Sequence, residues 1–186
     1  MTFRSEEIDL LESCKLPKEA NVLDYGCGVG RYLKHIRKIY PQAHCVGIEI
    51  CDQLREHCNH TISAPSTFVQ TLEELPDIKY DLIMLMGNGL GVLGDENNAK
   101  SMLKILVNSL NPQGCIIIET GNPFSANYSS PQFTIEYQGR TDNSFTWGYS
   151  DRNWITTQLE TNGCSVEIKR SQAPGGIFFI AIGCKN

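Results

Sequence analysis

The sequence has little of several features that would mark particular classes of protein. Its 16 Lys and Arg residues are outnumbered by 21 Asp and Glu residues, which gives a formal net charge of -5. Without a basic excess the chain lacks the usual source of affinity for nucleic acid or anionic membranes. It contains neither a run of about 20 apolar residues nor a secretory signal in its first residues. We therefore predict a cytoplasmic protein that binds neither nucleic acid nor membrane.

Cysteine is abundant, with eight residues, but no two of them form a C-x-x-C pair. Several lie inside apolar runs, such as Cys45 and Cys115, where a free cysteine behaves as a small buried hydrophobic residue. We therefore predict reduced thiols. The grouping richest in metal-ligating residues is Cys51, His57, Cys58 and His60. Its spacing matches no standard zinc pattern, so no metal site is predicted.

Short runs rich in Val and Ile alternate with helical patterns along the chain, and this alternation predicts an α/β fold with helices on both faces of a mostly parallel sheet. The predicted strands cover residues 21–25, 43–50, 66–70, 80–86, 115–120, 165–169 and 177–183. Five helices are predicted. The first covers 5–14, the second follows the glycines at 26–30 and ends at Pro41, and the third covers 52–60. The fourth runs from Asp95 or Asn97 to Asn111–Gly114, and the fifth runs from a cap at Ser150 to Asn162.

The chain shows no internal repeat, and we interpret residues 1–186 as one domain. Between the fifth strand and the last helix, residues 121–149 depart from the alternation. Two short extended stretches, 133–138 and 145–149, flank the turn-like segment 139–144 and predict a hairpin. The last two strands are predicted to be joined by a loop containing Pro174-Gly175-Gly176.

A glycine-rich turn, Asp24-Tyr25-Gly26-Cys27-Gly28-Val29-Gly30, joins the first strand to the helix that follows it. Such a turn lets a ligand approach the backbone and points NH groups at it. The dinucleotide-binding fingerprint requires a third glycine where this chain has Arg31, and the glycine falls at Gly30 instead. The spacing G-x-G-x-G therefore argues against a nicotinamide oxidoreductase.

An acidic residue, Glu49, ends the second strand, where a ligand lying across two strand ends presents its ribose hydroxyls. The stretch from Val22 to Arg31, followed by this glutamate, closely resembles the first motifs of class I S-adenosylmethionine (SAM)-dependent methyltransferases. Leu72–Pro76, Tyr80–Ile83 and Leu110–Gly114 add to the resemblance by their order along the chain. The resemblance extends over about residues 20 to 120.

The resemblance implies a seven-stranded sheet whose last strand is antiparallel, with SAM lying across the ends of strands one, two and four. It implies that the turn holds the methionine part of SAM and that Glu49 holds the ribose, with S-adenosylhomocysteine as the product. The implied cofactor-binding residues are Asp24, Gly26, Cys27, Gly28, Gly30, Arg31, Glu49, Ile50, Thr71, Leu72, Met86 and Gly87. Many family members have an aspartate that reaches the adenine amino group where this chain has Thr71.

SAM carries its own leaving group, so methyl transfer mainly requires an aligned acceptor and, for an acceptor of high pKa, a general base. The candidates near the predicted strand ends are Asn88, Glu119 and Tyr149, with Asn122, Arg140 and Trp147 as further pocket residues. We predict transfer of a methyl group to a small-molecule acceptor by in-line displacement.

Two alternatives stay open at this stage. One is a SAM-binding accessory protein without catalysis, and another is a methyltransferase that acts on a protein side chain. An aminopropyl transferase usually has paired acidic residues at the end of the fourth strand, where Gly87-Asn88-Gly89 offers none. The sequence does not determine the oligomeric state.

Overall fold

The computed structural model describes residues 5–124, 126–137, 139–141, 143–170 and 177–186. The strands in chain order are β1 (Asn21–Tyr25), β2 (His44–Ile48), β3 (Ser66–Val69), β4 (Tyr80–Leu85), β5 (Leu110–Gly121), β6 (Tyr128–Ser129), β7 (Gln132–Phe133), β8 (Glu136–Tyr137), β9 (Arg140–Thr141), β10 (Phe145–Thr146), β11 (Tyr149–Ser150), β12 (Cys164–Arg170) and β13 (Phe178–Lys185). The helices are α1 (Ser5–Ser13), α2 (Arg31–Ile39), α3 (Asp52–Thr61), α4 (Glu96–Asn108) and α5 (Arg152–Thr161), with two 3-10 helices at Leu72–Glu74 and Gly89–Leu93.

Seven strands form the main sheet in the order β12-β13-β5-β4-β1-β2-β3. Strands β1 to β5 pair in parallel, whereas β13 runs antiparallel to both β5 and β12. The predicted seven-stranded sheet with an antiparallel last strand is confirmed. Because β1 to β5 run the same way, their carboxyl ends meet at one edge of the sheet.

The sheet is covered on both faces, because successive residues of a strand point to opposite sides. On β1, Val22 packs with the apolar residues of α1, α2 and α3, and its neighbour Leu23 packs with those of α4 and α5. The predicted helices on both faces are therefore confirmed. No helix among the described residues is long and apolar enough to cross a membrane.

Two predicted helix boundaries are wrong. Helix α4 ends at Asn108, and Leu110 begins β5 opposite Tyr80, so Asn111–Gly114 does not lie at the end of the helix. Helix α5 is capped by Asp151, whose carboxylate accepts a hydrogen bond from the Trp154 backbone N–H at 2.8 Å. Ser150 instead belongs to β11, and its buried hydroxyl lies 3.1 Å from that of Thr120.

The prediction that all thiols are reduced is wrong for one pair, because Cys115 and Cys184 form a disulfide. These residues lie directly opposite each other on β5 and β13, with their Cα atoms 4.2 Å apart. They are 69 residues apart in the sequence, so their pairing depends on the register of the two strands. The other six cysteines are free.

The predicted hairpin is present and is longer at its tip than expected. Strand β6 pairs with β11, β7 with β10, and β8 with β9, all antiparallel. We refer to residues 128–150 as the hairpin. The segment 139–144, predicted as a turn, contains β9. Gln138, in the predicted strand 133–138, and the predicted loop Pro174-Gly175-Gly176 lie outside the described residues.

Candidate cofactor and acceptor site

The glycine-rich turn leaves the carboxyl end of β1 with its backbone exposed. Gly26, Gly28 and Gly30 all have positive φ, at 74°, 55° and 68°, a conformation that strongly favours glycine. A Cβ atom on Gly26 or Gly28 would meet nothing within 4 Å. The turn is fixed from behind by the N–H groups of Gly26 and Cys27, both of which donate to the Ile48 carbonyl at 2.9 Å. It therefore forms a fixed cradle that is open on one side.

At Gly30, packing also excludes a side chain. A Cβ atom on it would lie 2.5 Å from Cδ1 of Ile62 and 3.0 Å from the Cys58 sulfur, so α3 packs directly against this glycine. The Cys27 side chain is also buried, and its sulfur would lie 2.7 Å from a Cβ on Gly47. Burial raises the pKa of the Cys27 thiol. Cys27 therefore shapes the turn and does not present a reactive thiolate.

Asp24 is the buried charge of the site. It is 1% exposed, and its Oδ2 atom accepts no hydrogen bond from any residue that the structure describes. Burial raises the pKa of Asp24 to about 7, while Arg31 lowers this pKa and Glu49 adds to the rise. An unpartnered buried carboxylate oxygen is costly. A cationic ligand group beside it would remove that cost.

Arg31 connects the turn to the amino-terminal helix. Its guanidinium lies 3.2 Å from the carboxylate of Glu7 and 4.3 Å from the centre of the Tyr32 ring. The Tyr32 hydroxyl donates to the same Glu7 oxygen at 2.7 Å. Glu7 lies in the first turn of α1 and is 1% exposed, so it joins α1 to α2 through buried contacts. No local sequence signal distinguishes Glu7 from Glu6.

Glu49 follows β2 and reaches back to the turn. One carboxylate oxygen accepts from the Gly28 N–H and the other from the Cys51 N–H, each at 2.9 Å. Each oxygen retains acceptor capacity, since an ionised carboxylate offers about four lone pairs. Glu49 is half-buried, so it both holds the turn and faces the cradle side.

Three further residues of the implied cofactor site, Ile50, Thr71 and Leu72, follow the ends of β2 and β3. Ile50 is 76% exposed. Leu72 begins the first 3-10 helix and is half-buried against the core. Thr71 is exposed, and the pKa of the Glu73 carboxyl is lowered first by a hydrogen bond with the backbone of Glu73 itself and then by one with the Thr71 side chain. Two apolar faces are thus available to a planar ring.

At the carboxyl end of β4, Met86 is buried, and Gly87 is exposed with φ 62°. The Gly87 N–H donates to a carboxylate oxygen of Glu119 at 2.9 Å, and the Asn88 N–H donates to the Glu119 backbone carbonyl at 3.0 Å. Glu119 is 3% exposed. In the structure, Glu119 therefore fixes the end of β4.

Asn88 is 5% exposed, and both ends of its amide are bound within the protein. Its Nδ2 donates to the Gly148 carbonyl at 3.2 Å, and its Oδ1 accepts from the Thr120 hydroxyl at 3.0 Å. The sequence placed Asn88 at the acceptor site but gave no indication of these partners, which lie 60 and 32 residues away.

The hairpin brings aromatic side chains to this edge. The ring of Tyr149 lies 5.8 Å from that of Phe124 and 6.5 Å from that of Phe133, both in edge-on contact. Among the described residues, no hydrogen bond involves the Tyr149 hydroxyl. Trp147 packs against the second 3-10 helix, since a Cβ on Gly91 would lie 2.2 Å from its Nε1. The predicted pocket residues Tyr149 and Trp147 therefore have different neighbours, the rings of Phe124 and Phe133 for Tyr149 and the second 3-10 helix for Trp147.

The other two predicted pocket residues are placed differently. Asn122 follows β5, and its Nδ2 donates to the Ala126 carbonyl at 2.7 Å and to the Tyr149 carbonyl at 3.3 Å. It therefore anchors the base of the hairpin. Arg140 lies on β9 near the hairpin tip, where it is exposed beside Tyr137. The structure does not bring Arg140 to the strand ends that carry the turn.

These features fit SAM. The orphaned Asp24 oxygen suits the α-ammonium group, the open face of Gly26 and Gly28 suits a backbone-bound methionine part, and Glu49 suits the ribose hydroxyls. Among the described residues, no group of three or more His, Cys, Asp or Glu side chains is arranged to hold a metal ion.

The fold and the site are those of the class I SAM-dependent methyltransferases, and the comparisons with known proteins agree. Residues 5–166 match the family described as a methyltransferase domain. No curated protein matches the chain at significant sequence similarity. The chain therefore belongs to the methyltransferase-domain family, and it is a SAM-dependent methyltransferase.

Solved structures share this fold at low sequence identity. A SAM-dependent methyltransferase from Bacteroides fragilis, in complex with S-adenosylhomocysteine, has a TM-score of 0.72 at 18% identity, covering 98% of this chain and 77% of that one. A SAM-bound amino pentose methyltransferase from Micromonospora echinaspora, involved in calicheamicin biosynthesis, has a TM-score of 0.70 at 13% identity, covering 98% and 89%. A methyltransferase from Methanosarcina mazei has a TM-score of 0.71 at 14% identity, covering 100% and 99%.

Proposed function

We propose that this enzyme methylates a small molecule that binds beside the end of β4, against the aromatic residues of the hairpin. The observation that carries the proposal is the concentration of aromatic residues on the acceptor side. Seven of the sixteen aromatic residues of the chain lie within residues 121–149. Phe124, Phe133 and Phe145 are 46%, 37% and 38% exposed there. Such a surface suits a compact acceptor that stacks on or packs against aromatic rings.

The cofactor supplies a methyl group on a positively charged sulfur, which makes transfer by in-line displacement possible without a nucleophilic side chain. We propose that Asp24 binds its ammonium group, that the Gly26 and Gly28 backbone faces its methionine part, and that Glu49 binds its ribose. Ile50 and Leu72 would cover the adenine ring, which accounts for the exposure of Ile50.

On the acceptor side, Tyr149 is the residue that we propose to contact the reacting group. Its hydroxyl is available for a hydrogen bond, and its ring is held edge-on by Phe124 and Phe133. We assign Glu119 a supporting role, because its carboxylate already accepts the Gly87 N–H. Residues 121–149 would then form the acceptor part of one domain that covers residues 1–186.

Two of the similar structures support a small acceptor. One is described as an amino pentose methyltransferase and another as a sugar N-methyltransferase from Streptoalloteichus, with a TM-score of 0.68 at 14% identity. A ring-shaped acceptor also fits an aromatic wall, since saccharides and aromatic molecules both pack against such rings.

Transfer of label from methyl-labelled SAM tests the proposal. The protein is incubated with a metabolite extract and, separately, with a protein extract, and the label is followed into low- and high-molecular-mass fractions. We expect the label in the low-mass fraction and about tenfold less with Glu49→Ala, which loses the carboxylate on Gly28 and the ribose. Label in the protein fraction would indicate a protein side chain as acceptor. Binding of S-adenosylhomocysteine without any transfer would indicate an accessory protein.

A further inference from the structure

Asn88 occupies a backbone conformation that few residues tolerate. Its φ is 59°, in the left-handed region where asparagine is the best tolerated residue with a Cβ. Its side chain is 5% exposed, and a buried amide must have hydrogen-bond partners to avoid a large desolvation cost. The Gly148 carbonyl and the Thr120 hydroxyl are those partners. Asn88 therefore adopts an unfavourable backbone conformation at a position where its amide bonds to two other elements.

On the hairpin, the partner of Asn88 is Gly148, which is bound through both its carbonyl and its N–H. The Gly148 carbonyl accepts from Asn88, and the Gly148 N–H donates to the Gly91 carbonyl at 2.8 Å. A Cβ on Gly148 would lie 2.1 Å from the Tyr128 hydroxyl oxygen, and one on Gly91 would lie 2.7 Å from the Gly148 carbonyl oxygen. The hairpin and the segment after β4 thus meet backbone to backbone.

The partner on β5 continues the same buried network. The Thr120 hydroxyl donates to Asn88 and lies 3.1 Å from the Ser150 hydroxyl, and both Thr120 and Ser150 are fully buried. On the other side of Asn88, Gly87 lies at the end of β4 that faces the cofactor. One side chain thus connects the cofactor end of β4 with the strand that carries Tyr149.

We propose that Asn88 is a positioning residue that holds the acceptor-side hairpin on the cofactor-binding end of β4. The proposal rests on the proposed function in one respect, namely that the hairpin carries the acceptor. In this proposal Asn88 itself contacts neither the methyl group nor the acceptor, because it is 5% exposed and its amide is bound to Gly148 and Thr120. It acts through Gly148 and through the adjacent residues Trp147 and Tyr149.

Asn88→Gly separates this role from a backbone effect. Glycine adopts the same φ at lower cost and removes the side chain with its amide. Gln113→Gly is the matched control, since Gln113 also has a positive φ, 65°, and is exposed near the opposite end of the sheet. Thr120→Val approaches the same network from β5 and keeps the side-chain shape.

The measurements are hydrogen exchange of the peptides that cover 128–150, calorimetric affinity for S-adenosylhomocysteine, and label transfer into the metabolite extract at saturating SAM. For Asn88→Gly we expect about tenfold faster exchange in the hairpin, about tenfold slower transfer, and an affinity within about twofold of the wild type. Thr120→Val should give the same pattern more weakly, because it removes the bond to Asn88 and the contact with Ser150 but leaves the bond from Asn88 to Gly148 in place. Gln113→Gly should change none of the three.

Unchanged exchange in the hairpin of Asn88→Gly would overturn the proposal. A loss of S-adenosylhomocysteine affinity by the same factor as the transfer rate would also overturn it, because Asn88 would then belong to the cofactor site. If the wild type transfers no methyl group, the proposed function fails, but the exchange comparison still decides whether Asn88 holds the hairpin. If Asn88→Gly does not fold, Thr120→Val provides the same comparison.

Discussion

The cofactor side and the acceptor side of the site are held in place by different kinds of contact. On the cofactor side, three left-handed glycines and two carboxylates come from residues 24–49, one strand-helix-strand unit. On the acceptor side, the described residues of the hairpin form three ladders of two residue pairs each. It is joined to the sheet by contacts such as Asn88 to Gly148, which are 60 residues apart.

This difference predicts which substitutions each side of the site tolerates. A cradle made of backbone and strand ends is fixed by the sheet itself, so it binds the same cofactor whatever is attached nearby. A hairpin held by a few buried hydrogen bonds and aromatic contacts is free to vary without loss of the sheet. The cofactor side should therefore be sensitive to single backbone changes, and the acceptor side should respond to changes in side chains.

The largest effect is expected for Gly28→Val. The new side chain would project into the open face of the turn, and valine is strained at a φ of 55°. We expect affinity for S-adenosylhomocysteine to fall by about 100-fold or more, which corresponds to about 2.7 kcal/mol. Titration calorimetry measures this directly.

Gly139→Val is the control for backbone strain, since Gly139 has a φ of 73° and open space around its Cβ position but lies at the hairpin tip. Its cofactor affinity should equal that of the wild type. Equal losses in both variants would show that strain, not the cradle, determines binding.

The next largest effect concerns Asp24 and pH. In the free protein the pKa of Asp24 is about 7, and the ionised form is the one that pairs with an ammonium group. Affinity for SAM should therefore weaken as pH falls through 7, by about tenfold between pH 8 and pH 6. Asp24→Asn should bind weakly at both pH values with no such slope. A slope that persists in Asp24→Asn would assign it to another group.

The same carboxyl affects stability in the opposite direction. Its folded pKa lies above the ordinary value near 4, so its contribution to stability is present below pH 4 and is lost as pH rises through 7. Without ligand, Asp24→Asn should therefore unfold at a higher temperature than the wild type at pH 8. Asp77→Asn, at an exposed site, should not. A lower melting temperature for Asp24→Asn at pH 8 would show that the charge is paired in the free protein.

The same difference between local and long-range contacts explains how much of the fold and of the site could be predicted from the sequence. The turn at Gly26–Gly30 and Glu49 were predictable because their signals are local. The alternation of elements predicted the mostly parallel sheet with helices on both faces, and the resemblance to class I methyltransferases implied its antiparallel last strand. Glu7 could not be predicted, because burial of a helix-start glutamate depends on where α1 docks. The disulfide between Cys115 and Cys184 and the partners of Asn88 depend on strand register and on contacts across the fold. None of these leaves a signal in residue spacing.

The smallest effect is expected for Tyr149→Phe on the acceptor side. The variant keeps the ring contacts with Phe124 and Phe133 and removes one hydroxyl, whose hydrogen bond to the acceptor would contribute about 0.5–1.5 kcal/mol. We expect label transfer to slow by up to about tenfold with unchanged affinity for S-adenosylhomocysteine. Tyr137→Phe, on β8 near the hairpin tip, should leave the rate unchanged. A loss of about 100-fold or more would instead identify the Tyr149 hydroxyl as a general base, and a rate equal to the wild type would remove Tyr149 from the acceptor contact.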